Sequence, residues 1–168
     1  MESLGRISTK KITYLGLMLT VALILSYIES LIPFDFAIPG IKLGLANLCI
    51  VIMLSLYGVK EALIVNILRI LIAGFMFGNV SMIIYSTAGA LLSLLVMILF
   101  KKINKFSICG ISLVGGVFHN VGQCIIASLV VSNVYVFSYL PVLIIVGAIT
   151  GFVIGIIGNA VLPIIKRF

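Results

Sequence analysis

Six stretches of the chain are almost unbroken in apolar side chains, at about residues 12–32, 43–57, 61–77, 81–100, 108–131 and 139–165. A helix needs about 20 apolar residues to cross the hydrocarbon of a bilayer. The pattern therefore predicts an all-α integral membrane protein with six transmembrane helices. The second stretch is short for a span, and a short helix can begin below the interface. The longest connection, residues 33–42, reads Pro-Phe-Asp-Phe-Ala-Ile-Pro-Gly-Ile-Lys. Pro33, Pro39 and Gly40 exclude a regular helix there, and a structured cap is expected instead. Gly58-Val59-Lys60 makes the turn into the third stretch, and Lys101, Lys102 and Lys105 close the fourth. With no internal repeat and no soluble insert, residues 1–168 read as a single transmembrane domain.

Composition removes the soluble alternatives. Of 168 residues, 63% are apolar and 9% charged, against about 25% charged in an average soluble domain. A net charge of +7 would point to nucleic acid if it formed a patch. Here the basic residues sit between apolar runs, and their partner is the face of the lipid bilayer rather than nucleic acid. Lys and Arg near helix ends favour the cytoplasmic side. With six crossings, Arg6, Lys10, Lys11, Lys60, the 101–105 cluster, Lys166 and Arg167 share one side, while Lys42 stands on the other. The expectation is a multi-pass protein of the cell membrane with both termini cytoplasmic. Tyr14, Tyr27, Tyr57, Tyr135 and Tyr139 fall near segment ends, as interfacial aromatics do. Residues before the first run imitate a signal peptide, but no small-x-small cleavage site follows, so an uncleaved first helix is expected. Cys49, Cys109 and Cys124 lie inside apolar stretches with no metal spacing and read as small buried hydrophobes.

Polar groups at membrane depth are the candidate chemistry. Arg69 lies about nine residues into the third stretch, where insertion scales charge roughly 2.5–3.5 kcal/mol for an Arg. Asn66, three residues earlier, shares its helix face. Two readings stand level, an anchor for an anion and an internal ion pair with Glu29 or another carboxylate. In the fifth stretch, His119, Asn120 and Gln123 are spaced to converge on one bundle-facing surface. Each alone is explained by a hydrogen bond to a neighbouring helix, worth under about 1–2 kcal/mol; three within five residues favour a ligand pocket. A single His without a carboxylate cluster argues against a metal. Small residues recur every four positions at Gly147, Gly151 and Gly155, at Gly74 and Gly78, at Gly16 and Thr20, and at Ala22 and Ser26. That spacing lets helix backbones approach, within the bundle or against a partner.

Absences narrow the function. The chain has no GxxxxGK[ST] loop to hold nucleotide phosphates. Glu2, Glu29, Asp35 and Glu61 are isolated, so Mg²⁺-assisted diphosphate chemistry lacks its usual ligands. No Ser/His/Asp set is evident. The residues read as those of a protein that is not an enzyme and carries no metal or cofactor.

Three motifs carry a resemblance. The run Pro39-Gly40-Ile41-Lys42-Leu43-Gly44-Leu45-Ala46-Asn47, then Glu61-Ala62 with Arg69, then His119-Asn120 with Gln123, together resemble the Gx transporter family. That family is also known as heptaprenyl diphosphate synthase component I, and it is similar to the substrate-binding S components of energy-coupling factor (ECF) transporters. The resemblance covers nearly the whole chain. It implies a six-helix S-component-like bundle with cytoplasmic termini, a ligand site toward the extracellular half, and a first loop that closes over it. It also implies a transmembrane coupling subunit against the first helix and two separate ATPases. The Ala-x-x-x-Ala coupling motif is replaced here by Gly16/Thr20 and Ala22/Ser26. Prenyl chain elongation uses Asp-rich motifs, which the four scattered acids do not provide.

The expected function is capture of a small, anionic and partly apolar molecule for ATP-driven uptake. In that scheme Lys42 and Arg69 neutralise the anion, Asn47, Asn79, Asn120 and Gln123 give directional hydrogen bonds, and His119 donates or accepts. Phe34 and Phe36 cover an apolar part of the ligand, and Gly16, Thr20, Ala22 and Ser26 meet the coupling subunit. The alternative is a membrane-bound accessory subunit of a prenyl diphosphate synthase or quinone pathway. A stand-alone proton-coupled carrier comes last, because such carriers commonly bury carboxylates in their helices.

Overall fold

A computed structural model of the chain describes residues 9–31 and 44–167. These residues form six α-helices: α1 (Thr9–Leu31), α2 (Asn47–Leu56), α3 (Val59–Phe77), α4 (Val80–Ile103), α5 (Ile108–Val131) and α6 (Leu140–Ile165). A 3-10 segment, Val134–Tyr139, leads into α6. The local chemistry of the helix ends follows the sequence. Asn79 caps α4 by accepting the Met82 N–H, and Ser107 caps α5 by accepting the Gly110 N–H. Pro141 stands in the first turn of α6, where no intrahelical N–H is needed.

Six apolar stretches do become six helices, but not six equivalent ones. Four helical segments are long and apolar enough to cross a membrane: α1, α4, α5, and the 3-10 segment continued by α6. Helix α2 has 10 residues, about 15 Å of rise, half of a hydrocarbon core of about 30 Å. Helix α3 has 19 residues but carries Lys60, Glu61 and Arg69. Its length suffices for a span while its charges set it apart. Large apolar side chains remain exposed along the outer faces, among them Leu17 and Ile24 of α1, Leu95 of α4 and Ile149 of α6. In a bilayer this belt is the lipid-facing surface.

Helix α5 is the centre of the packing, held between α4 and α6. Backbones meet there through glycine. A Cβ on Gly122 of α5 would lie 2.9 Å from the Ala88 carbonyl of α4, and one on Gly151 of α6 would lie 2.6 Å from the Ser112 carbonyl of α5. The stripe Gly147, Gly151, Gly155 therefore packs inside the bundle, against α5. Helices α1 and α2 pack on α3, and α2 also reaches α6. At one end, Lys11 of α1 pairs with Glu61 in the first turn of α3, and Lys101 of α4 donates to the Leu54 carbonyl in the last turn of α2. Lys10, Leu56, Ile165 and Lys166 line one groove at the same end. Of the basic residues expected on one side, Lys10, Lys11, Lys101 and Lys166 are found at this end, and Arg6 lies outside the described residues.

Candidate functional site

The polar residues gather around the first turn of α2. Gly44 has φ +83°, a conformation open to glycine and strained for most other residues. Its N–H donates to the Glu29 carboxylate in the last turn of α1. A Cβ on Gly44 would lie 2.9 Å from Asn47 Nδ2 and 3.4 Å from His119 Cδ2. One backbone position thus joins the end of α1, the start of α2 and the middle of α5. Glu29, Asn47 and His119 are all buried.

Arg69 enters this group from α3. It is 5% exposed, and its Nη2 donates to Asn66 Oδ1 at 2.7 Å, the i, i−3 neighbour on its own helix. Its charge lies within electrostatic reach of the Glu29 carboxylate and of the imidazole of His119. Both readings of Arg69 therefore have a counterpart: Glu29 is close enough to balance its charge, yet the hydrogen bond it makes goes to a neutral amide. Arg69 Nε has no hydrogen-bond partner among the described residues.

Helix α4 makes room for the α5 side chains at Gly89. A Cβ there would lie 2.8 Å from Gln123 Cγ and 3.2 Å from His119 Cε1, so any larger residue would push both away. His119 and Gln123, four apart, lie against this one glycine. His119 Nδ1 has no partner among the described residues. Asn120 turns elsewhere: its Nδ2 donates to the Leu143 carbonyl of α6 at 2.8 Å. The three α5 polar residues thus do not converge. His119 and Gln123 face α4 at Gly89, His119 also reaches Gly44 before α2, and Asn120 ties α5 to α6, because adjacent helix positions differ in direction by about 100°.

The remaining expected residues separate in the same way. Asn79 is exposed and holds the α4 N-terminus. Lys42, Phe34 and Phe36 lie outside the described residues. On α1, Gly16 and Thr20 face outward, with Thr20 Oγ1 donating to the Gly16 carbonyl of its own helix. Ala22 and Ser26 are buried, Ala22 in a small apolar cluster with Ala46 and Cys49 of the α2 start. The expectation that all four meet a partner is corrected for these two: they face the interior of this chain and leave Gly16 and Thr20 as the outward pair.

Sequence reasoning underrated four residues. Asn66 was visible as the i, i+3 neighbour of Arg69, and Glu29 as a carboxylate at the end of an apolar run. Gly44 and Gly89 gave no local signal, since each matters only through what packs on it. Among the described residues no three His, Cys, Asp or Glu side chains come together as a metal site would need. What the cluster does offer is a guanidinium, an imidazole and amides beside one carboxylate, Glu29, in a low-dielectric interior, with Arg69 Nε a donor left over for a small anionic or strongly polar group.

Comparison with known proteins adds one finding. The model of the family described as heptaprenyl diphosphate synthase component I matches residues 18–161, which include Glu29, Asn66, Arg69, His119 and Gln123. No curated protein and no solved structure matches.

Proposed function

The chain belongs to the heptaprenyl diphosphate synthase component I family, and from that premise we propose that it is a membrane-embedded binding subunit for a small, anionic and partly apolar molecule. The observation that carries this reading is the buried guanidinium of Arg69. A charge at this depth is costly, and its one hydrogen bond, to the Asn66 amide, leaves its Nε unanswered among the described residues. His119 Nδ1 is unanswered nearby. Two orphaned buried polar atoms, one on α3 and one on α5, are what a binding site shows before its ligand arrives, because buried polar groups are otherwise paired.

In this reading the protein is not a catalyst. Both termini are cytoplasmic, as the basic end of the helices favours, and the connection between α1 and α2 has both its ends, Glu29 and Gly44, at the polar cluster. The bound molecule is handed on by partners: a transmembrane coupling subunit and two ATPases, as in ECF-type uptake, with the outward Gly16 and Thr20 as part of the docking face. A second reading has the family name in its favour. There the same pocket belongs to the membrane component of a prenyl diphosphate synthase, and its partner is a soluble synthase subunit.

Affinity purification from native membranes separates the two readings, since coupling and ATPase subunits support uptake and a synthase subunit supports the other. The pocket itself is tested by identifying the small molecule that copurifies in mild detergent and measuring its binding to Arg69→Ala and His119→Ala. Loss in either variant supports the assignment; wild-type binding in both would end it.

A further inference from the structure

Beside the polar cluster, α3 and α4 part to leave a cleft of about 150 Å³. Helix α3 packs far less extensively on α4 than α4 does on α5. At the mouth stand Ile67, Leu71 and Leu91, each 40–49% exposed on the outer face of the bundle. Deeper in, the walls are the buried Ile70 and Ala90. Asn66 also lines the cleft, and its Oδ1 is the acceptor for Arg69 Nη2. An apolar opening on the lipid side thus ends on the amide that orients the buried guanidinium.

Chemistry at the two ends differs in kind. An apolar cavity of about this volume in a protein core stays dry and binds benzene, so the cleft suits one hydrocarbon group of that size. Arg69, buried and with Nε unanswered, is joined to the cleft through its hydrogen bond to Asn66. A free inorganic anion would use the second feature alone, and a lipid acyl chain would use the first alone. One molecule with an anionic head and an unbranched or isoprenoid chain uses both, and it already resides in the bilayer that bathes the cleft.

We propose that the α3–α4 cleft is a lateral subsite holding the apolar chain of an amphiphilic anion whose head sits at Arg69, so that the ligand is admitted sideways from the membrane. This rests on the binding-subunit reading and narrows its ligand to a membrane-soluble class.

The test uses the full chain in lipid nanodiscs with three probes: inorganic diphosphate for the head, farnesol for the chain, and farnesyl diphosphate for both. Farnesyl diphosphate is expected to bind at least tenfold tighter than either part, after subtraction of its partition into empty nanodiscs. Ile67→Trp and Leu91→Trp, one on each wall, are expected to cancel that tenfold gain while inorganic diphosphate still binds as to wild type. Retained binding of inorganic diphosphate also shows that the variants are folded. Arg69→Met is expected to lower affinity for both diphosphates. If farnesyl diphosphate binds no tighter than diphosphate, or if neither Trp variant reduces the gain, the lateral subsite is wrong and the pocket at Arg69 stands. If Arg69→Met leaves both affinities unchanged, or if no diphosphate binds, the anion pocket falls and the lateral subsite with it. If farnesol alone matches farnesyl diphosphate, the cleft is a lipid-chain site only and the proposal is overturned.

Discussion

Helices α4 to α6 and helices α1 to α3 are built on different principles within one small bundle. In the first group, three long apolar helices meet through glycine, with backbone against backbone at Gly122, Gly147 and Gly151. Burial of polar side chains there serves mainly to tie helices together, as Asn120 does to the Leu143 carbonyl and Ser93 does to the Gly115 carbonyl. In the second group the helices are shorter or charged. Lys11 with Glu61, Gly44 with Glu29, and Arg69 with Asn66 do the joining. Close packing leaves little room for a ligand, whereas a half-length helix and a buried charge leave donors to be satisfied. On the proposed binding-subunit reading, the first group is the scaffold and the second carries the site, with His119 and Gln123 contributed by α5.

That division is open to attack by substitution. Arg69→Met removes a charged hydrogen-bond donor of the kind worth about 1.5–3 kcal/mol, so the copurifying molecule should be lost or its affinity fall by roughly 10- to 100-fold. Because the guanidinium is itself costly at this depth, the thermal midpoint in detergent should change much less than binding does; a parallel loss of both would make Arg69 structural. Gly122→Val makes the opposite test on α5. Its added carbons would meet the Ala88 backbone, and overpacking costs about 1–3 kcal/mol, so unfolding temperature should drop before any binding effect is measured in the folded fraction.

Smaller effects sharpen the boundary. Asn120→Ala deletes an interhelical bond of a type that averages about 0.6 kcal/mol, with a maximum near 1.7, and it should weaken stability slightly while sparing binding. A clear binding defect in this variant would return Asn120 to the site. Thr20→Ala lies on an exposed face and loses only a bond to its own helix, so stability should stay within about 0.5 kcal/mol of wild type. Reduced capture of a membrane partner by this variant would mark the α1 outer face as a docking surface.

Much of the fold was legible because hydropathy is local. The apolar runs announced the helices, and the shortness of α2 was visible in residues 43–57, whereas Asn79, read as a ligand contact, is the cap of α4. The site was legible in part. Arg69 and Asn66 declare themselves by depth and by spacing on one helix, and His119 with Gln123 by their four-residue interval. Asn120 misled because a helix that is apolar on nearly every side has no polar stripe to show which direction is inward. The paired small residues on α1 misled for the same reason: Gly16 and Thr20 share their spacing with Ala22 and Ser26, yet one pair faces out and the other in.

The sequence by itself determined that this is a helical membrane protein, roughly where its six helices lie, to within about four residues at their ends, and which polar groups must be answered inside it, since each depends only on neighbours along the chain and on the cost of polarity in hydrocarbon. Tertiary structure alone decided which of those groups meet. Gly44 and Gly89 bring Glu29, Asn47, His119 and Gln123 together through close backbone approach, and the rotation of each helix about its axis is set by packing that no local pattern records.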